Sequence, residues 1–385
     1  MKQVYLDHNA TTPVRKEVIE AMMPYFSNEY GNASSVHSMG QSARKAVESA
    51  RSVMGNSIGT EPVDIICTSG GTESDNFAIK GVAMANLDKG RHVITSEIEH
   101  HAVLDSCRFI EEELGFEVTR VPVDKYGVID MDRLKDSVRK DTVLISIMFA
   151  NNEVGTIEPV KEIANIARKN GVYFHTDAVQ ALGKEPIDIE ELGVDLCSFS
   201  AHKLNGPKGI GALYVRKGVK LVSFHSGGSH ERKLRAGTLN VPGIVGFAKA
   251  VEIAQRELPT VNKNMKKLTK RLLDGLNKNL EEIYLNGHPD KRLSNTLNIS
   301  FRYVEGESLI LNFDLKGIFA STGSACTSGS LDPSHVLTAM GVKPDLTQAS
   351  IRFSFGHGNT EEDVDYCVSE IPPIVKRLRE MSPLC

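Results

Sequence analysis

Between about residues 63 and 215 the sequence alternates short apolar runs with longer amphipathic stretches, and no other feature restricts the fold as much. The runs Val63–Cys67, His92–Thr95, Val118–Val121, Thr142–Met148, Val172–His175, Leu196–Phe199 and Gly211–Val215 read as buried strands. Glu73–Met84, Ala102–Leu114, Met131–Val138 and Val160–Arg168 read as helices between them. Strands bounded by Gly or Asp and separated by helices build a mainly parallel sheet, so an α/β fold is expected. Such sheets collect ligands beyond the carboxyl ends of their strands. Chemistry is therefore expected just after each run.

After about residue 240 the texture changes. Val241–Leu280 reads as one long helical stretch, interrupted near Pro259. Strand-like runs follow at Glu282–Leu285 and Thr296–Ile299, with helix-like ones at Glu307–Phe313 and Asp363–Arg379. A smaller α/β domain is expected from about residue 256, and the first dozen residues can pack with either part.

Composition narrows the function classes. Lys+Arg 45 against Asp+Glu 49, net charge -4, lacks the basic footprint of a nucleic-acid binder. No apolar run reaches the roughly 20 residues that span a bilayer. Met1–Asp7 lacks a basic and then apolar leader, so no secretory signal is expected. The cysteines (Cys67, Cys107, Cys197, Cys326, Cys367 and Cys385) are scattered without a Cys-x-x-Cys pair. That spacing suits neither a zinc site nor a disulfide framework, and implies a reducing, cytoplasmic compartment.

Three segments share one logic. Thr68-Ser69-Gly70-Gly71-Thr72-Glu73 joins a strand to a helix through two glycines. Backbone N–H groups at such a junction can cradle a phosphate, although a plain turn with Thr72 as helix cap fits equally well. Asp177 closes the run that ends Phe174-His175-Thr176, where a carboxylate can pair with a pyridinium nitrogen or simply cap a turn. Ser200-Ala201-His202-Lys203 follows the next run and places a lysine where it can form an imine with an aldehyde. Each segment alone has a bland explanation. In this order along one α/β domain they supply a phosphate site, a pyridinium partner and an imine amine.

These segments resemble the fold-type-I pyridoxal-phosphate enzymes, and within them the cysteine desulfurases. The resemblance runs through nearly the whole chain: Tyr5–Pro13, Gly31–His37, Thr68–Asn76, Glu99–Leu104, Asn151–Gly155, His175–Gln180, Ser200–Gly209, Arg235–Thr238, Gly323–Gly329 and Ser350–Ser354. It implies a large cofactor domain at 13–255 with a mainly parallel seven-stranded sheet, and a small domain at 1–12 with 256–385. It makes Lys203 the cofactor-binding lysine, Asp177 the partner of the ring nitrogen, and His100 the histidine stacked on the ring. Gly71, Thr72, Ser200 and His202 would hold the phosphate. Gln180 would lie near the phenolic oxygen, and Asn152 beside ring and substrate. Arg352 would clamp the substrate carboxylate, a bidentate task suited to arginine. Thr238 would reach the phosphate of a neighbouring subunit, which implies a homodimer.

Cys326 points to the reaction. Gly323, Ser324, Ser328 and Gly329 surround it with small residues in a polar stretch, whereas Cys67 and Cys197 lie in strand-like runs and Cys107 and Cys367 in helical ones. The resemblance makes Cys326 the nucleophile that takes sulfur from L-cysteine and leaves L-alanine. The subgroup with this loop hands the sulfur to protein acceptors such as an iron–sulfur scaffold, where Cys326 can also contact a cluster. Relatives that dock a scaffold extend past the point where this sequence stops, Ser382–Cys385, which keeps a different acceptor open. An aminotransferase would not need Cys326. A selenocysteine lyase shares the fold. A non-catalytic sulfur-relay subunit would not need Lys203, Asp177, His100 and Cys326 together.

Overall fold

The computed structural model describes residues 2–223, 225–322 and 333–382. Seven of its strands form one sheet: β2 (Ile65–Thr68), β3 (His92–Ser96), β4 (Glu117–Val121), β5 (Thr142–Ser146), β6 (Tyr173–Asp177), β7 (Leu196–Ser200) and β8 (Gly211–Val215). Their spatial order is β2-β8-β7-β6-β5-β3-β4. The pairs β4–β3, β3–β5, β5–β6 and β6–β7 are parallel, and β8 runs antiparallel to both β7 and β2. The carboxyl ends of β2, β3, β5, β6 and β7 therefore share one edge of the sheet with the start of β8.

The alternation of side chains along a strand explains why both faces are covered. Ile65, Cys67, Ile94, Ile145 and Cys197 pack into one core, whose other wall includes Val47 and Met54 of helix Ser38–Ser57. Ile66, Val93, Leu144 and Leu196 face the opposite way, against Phe77, Val82, Val103 and Ile110 of helices Gly71–Ala85 and His101–Leu114.

A second body is built on an antiparallel sheet of β9 (Ile283–Asn286), β10 (Thr296–Phe301) and β12 (Ser350–Ser354). The N-terminal β1 (Val4–Tyr5) pairs with β11 (Ile318–Phe319) and is bridged to β12 through Asp7 and Ser354. Val4 and Leu6 are buried with Leu297, Ile299, Phe313, Ile351 and Phe353, so the first residues pack with this body. Asn9 and Thr12 nevertheless reach the larger one.

Helix Val241–Asn279 is continuous through Pro259, where the sequence predicts an interruption. Proline within a helix costs about 3 kcal/mol. Burial on both sides offsets it: Ile244, Phe247 and Val251 sit in the first core, and Leu268, Leu272 and Leu276 in the second. Helix Ser38–Ser57 was not legible in the sequence, because its buried stripe is partly small (Ala43, Ala50) and interspersed with Ser and Gly.

β2 is an edge strand, and unpaired edges invite association. Here side chains occupy it. Glu231 accepts from the backbone N–H of Cys67 at 2.9 Å, and Arg232 donates to the carbonyl of Ile65 at 3.0 Å. Glu231 also pairs with Arg51 at 2.9 and 3.0 Å, its side chain 1% exposed. Glu231, Arg232 and Lys233 all have positive φ (42°, 57° and 68°), which is costly for residues with a Cβ. The buried ion pair and the strand contacts hold this left-handed turn in place. Arg51→Met would leave the Glu231 carboxylate buried without its partner. The expected loss is about 3–5 kcal/mol of unfolding free energy, measurable by urea denaturation.

Candidate active site

The shared sheet edge carries the expected chemistry. Gly70 follows β2 with φ 156° and ψ -177°, a backbone region that glycine occupies almost alone. It caps helix Gly71–Ala85, so the helix starts two residues before the sequence reading, and Thr72 lies inside its first turn rather than at its cap. A Cβ on Gly71 would stand 2.7 Å from Val179 Cγ2 and 3.7 Å from Ser200 Cβ. A Cβ on Gly211 would stand 2.6 Å from Gly70 Cα. The Gly-Gly loop, the turn after β6 and the ends of β7 and β8 thus meet closely, with a helix N-terminus directed at the meeting point.

Asp177, at the end of β6, is 7% exposed. It accepts the Val179 N–H at 2.8 Å, and among the described residues it has no ion-pair partner. Burial raises its pKa to about 6, against the opposing pull of that N–H and of Lys203. Behind it, His175 bonds Ser146 and Ser198 at 2.8 and 2.9 Å, and burial pushes its pKa down to about 3. Burial and the Asp177 charge push Asp75 upward.

His100 caps helix His101–Leu114, its Nδ1 accepting from the Ala102 N–H at 3.1 Å. Burial first, and then the Lys203 charge, lower its pKa to about 4. It is a neutral imidazole at physiological pH, and the accepted bond places its proton on Nε2. The neighbouring Glu99 carboxyl is fully buried. Its Oε1 accepts from Ser96 Oγ at 2.6 Å and Met148 N at 3.0 Å, while burial raises its pKa to about 8.

Lys203 ends a short 3-10 turn, Ala201–Lys203, after β7. Its Nζ donates to the carbonyls of Asn9 at 2.5 Å and Ala10 at 2.9 Å. Gln180 donates from Nε2 to the same Asn9 carbonyl at 2.9 Å. His202 bonds Thr11 at 3.1 Å. From the second body, Arg352 donates to the Asn152 carbonyl at 3.0 Å and to Asp7 at 2.8 Å. Its Nε is buried without a hydrogen-bond partner.

Most expected residues thus meet at one edge. Thr238 lies elsewhere. It is exposed on the loop after the left-handed turn, and no hydrogen bond among the described residues ties it to Gly71 or Ser200. That loop is held by Arg235, which pairs with Glu73 beside the Gly-Gly loop at 2.8 Å. Cys326 lies outside the described residues, as does Cys385. Cys67, Cys107, Cys197 and Cys367 are buried free thiols, and burial raises the pKa of each, to about 12 for Cys67, Cys107 and Cys367. Buried protonated thiols are poor nucleophiles.

Asn9, Asp7 and Lys184 were missed as individual site residues. The Tyr5–Pro13 segment stood out in the sequence, but nothing in it says that Asn9 would turn inward.

The model of the aminotransferase class-V family matches residues 4–367. The chain belongs to that family. It is 56% identical over 383 residues to a cysteine desulfurase IscS from Methanosarcina thermophila, covering 100% of this chain and 94% of that one. A solved structure titled a NifS-like protein superposes with a TM-score of 0.93 at 42% identity, covering 98% of this chain and 100% of the other. Another, titled SspA in complex with cysteine, has a TM-score of 0.82 at 37% identity, covering 91% and 98%. The chain is a pyridoxal-phosphate-dependent cysteine desulfurase.

The residues present fit that cofactor. A buried carboxylate without a cationic partner suits a pyridinium nitrogen. The Gly-only backbone of Gly70 and the helix start suit a phosphate, and the nearby Lys203 amine suits an aldehyde. When bound, pyridoxal phosphate supplies an electron sink and captures the substrate amine.

Two outcomes follow. Gly70→Ala should strain the loop by about 1–3 kcal/mol and weaken cofactor retention roughly 10- to 100-fold, read by fluorescence titration of the apoprotein. Glu99 has a folded-state pKa raised from 4.5 to about 8, so its stabilisation is complete below 4.5 and is lost as pH rises toward 8. The buried histidines, whose values are lowered from 6.5, act only below that pH. Between pH 6.5 and 8, melting temperature should therefore fall less in Glu99→Gln than in the parent.

Proposed function

We propose that the enzyme converts L-cysteine to L-alanine and holds the released sulfur as a persulfide on Cys326 before passing it to a protein acceptor. The observation that carries this reading is the joint presence, at one sheet edge, of the Lys203 amine, the buried Asp177 carboxyl, neutral His100 and the Gly70–Gly71 loop. The second support is the elimination of the four buried thiols, which leaves Cys326 and the terminal Cys385 as candidates for the nucleophile. The polar, glycine-containing surroundings of Cys326 favour it.

In this reading Lys203 would hold the cofactor through its amine and, with that amine free, would take the proton from the substrate's Cα. Its amine already faces two carbonyl acceptors, which orient the lone pair or the added proton. Asp177 would face the ring nitrogen and favour its protonated form. His100, neutral with its proton on Nε2, covers the ring and receives or returns protons. Gly71, Thr72, Ser200 and His202 hold the phosphate, and Gln180 and Asn152 contact the ring. Arg352, whose Nε has no partner, binds the substrate carboxylate beside Asn152. The Cys326 thiolate attacks the substrate sulfur: a sulfur–sulfur bond forms, the carbon–sulfur bond breaks, and its electron pair stays with the carbon fragment. Protonation of that fragment gives alanine. One thiol and one cysteine become one persulfide and one alanine, with no outside oxidant.

The exposed Thr238, on a loop tethered by Glu73–Arg235, supports a homodimer in which it completes the neighbour's phosphate site. Division into 13–255 and 1–12 with 256–385 is proposed along with it. An iron–sulfur scaffold is the proposed acceptor class, and the scatter of free cysteines supports a reducing cytoplasmic setting. No helix among the described residues is long and apolar enough to cross a membrane.

The test is mass spectrometry of the protein after L-cysteine, with alanine assayed in parallel. The parent should gain one sulfur on Cys326 and release alanine. Cys326→Ala should keep the cofactor's visible absorbance and lose at least about 100-fold in alanine formation, because it removes the nucleophile that takes the sulfur covalently. Lys203→Ala should lose both. Full turnover in Cys326→Ala would overturn the assignment.

A further inference from the structure

Four residues after Gln180, and on the same turn, Lys184 points its amine back into the site. Lys184 Nζ donates to Gln180 Oε1 at 2.7 Å and to Asn9 Oδ1 at 3.3 Å. Its own backbone is fixed from the other side, where Asn262 of the long helix donates to the Lys184 carbonyl at 2.6 Å. Asn262 in turn accepts from Ser294 at 3.0 Å. The amine is therefore aimed rather than free to swing.

A side-chain amide can present either its oxygen or its nitrogen to a neighbour, and the choice decides what it offers elsewhere. A lysine ammonium only donates. Opposite Lys184, Gln180 must show its oxygen, which turns its NH2 toward the Asn9 carbonyl at 2.9 Å. That carbonyl is also the acceptor of Lys203 Nζ at 2.5 Å. The amide NH2 carries two hydrogens, and one is spent on Asn9. The second is available to an acceptor on the cofactor, such as a phenolic oxygen.

We propose that Lys184 is a positioning residue that fixes the orientation of the Gln180 amide, so that Gln180 donates to the cofactor. This rests on the reading that Gln180 faces the cofactor ring. Burial, then the charges of Lys203 and Arg352, lower the Lys184 pKa to about 7. The Arg15–Glu257 pair, His8 and His357 line the same cavity. The ammonium, which has no lone pair, is the form that fixes the amide; the neutral amine still donates to Gln180 Oε1 but can also accept.

The test uses the holoenzyme and the pH midpoint of the cofactor's visible absorbance, a readout independent of turnover. Four proteins are compared: the parent, Gln180→Ala, Lys184→Met and the double variant. Gln180→Ala should move the midpoint by about half a unit or more, the size that loss of one hydrogen bond to a titrating group produces. Lys184→Met should move it in the same direction, and should add nothing in the Gln180→Ala background, since it acts through that side chain. Lys184→Arg, which keeps the donor, should restore most of the parent midpoint. A shifted Gln180→Ala with an unshifted Lys184→Met overturns the inference alone. An additive double variant does the same. An unshifted Gln180→Ala overturns the reading of Gln180 and the inference with it. If Lys184→Met does not fold by thermal melting, Lys184→Ala takes its place with the same outcomes.

Discussion

The site depends on one buried side chain, Asn9. It is 1% exposed and uses its backbone and amide almost to capacity. Its N–H donates to Ser354 at 2.9 Å, and its Nδ2 donates to Thr296 at 2.9 Å and to the Asn152 carbonyl at 3.2 Å. Its Oδ1 accepts from Asn295 at 3.1 Å and from Lys184, and its carbonyl accepts from Gln180 and Lys203. Ser354, Thr296 and Asn295 belong to the second body, while Asn152, Gln180, Lys184 and Lys203 belong to the sheet edge. A buried polar network of this kind rigidifies when every member is satisfied, and each unmet group is costly. Asn9 is the joint through which the two bodies agree on where the Lys203 amine stands.

Arg352 repeats the arrangement with a charge. It comes from β12, is 3% exposed, and is pinned by Asp7 and the Asn152 carbonyl, which also come from separate parts of the chain. These bonds hold its guanidinium in a fixed plane, with little side-chain entropy left to lose. The same N-terminal segment thus orients both the amine and the arginine. Around these two groups the titratable residues separate into neutral and charged by burial. His100 and His175 stay unprotonated, and burial makes Glu99, Asp75 and Asp177 hold protons more tightly than usual.

Much of this was legible before the structure. The seven runs from Val63 to Val215 became the seven strands, with bounds within a few residues, because fully buried strands leave uninterrupted apolar stretches. The positions of Asp177 and Lys203 followed from the rule that loops after parallel strands carry ligands. The long helix was legible too, but its passage through Pro259 was not, since that depends on packing into two separate cores. The strand β12 was recognisable only as a family segment; Ser350-Ile351-Arg352-Phe353-Ser354 is too short and too polar to declare itself. Asn9, Asp7 and Lys184 acquire meaning only from partners far away in sequence, and periodicity carries no such information. Thr238 shows a different limit: on a single chain it is simply an exposed threonine.

The separation between Asn9 and Ser354 is 345 residues. Residues around Asn9 therefore depend on strands made hundreds of residues later, and the large sheet can form while that segment still lacks β10 and β12. Closing so long a span carries a loop-entropy penalty that grows only slowly with length, so the chain tolerates it thermodynamically. In time, however, it imposes an order: the carbonyl that receives Lys203 cannot be fixed until β12 has been made. A chain made only as far as the large sheet would carry Lys203 without the support that aims it, so the fold leaves that amine unplaced until synthesis has passed β12.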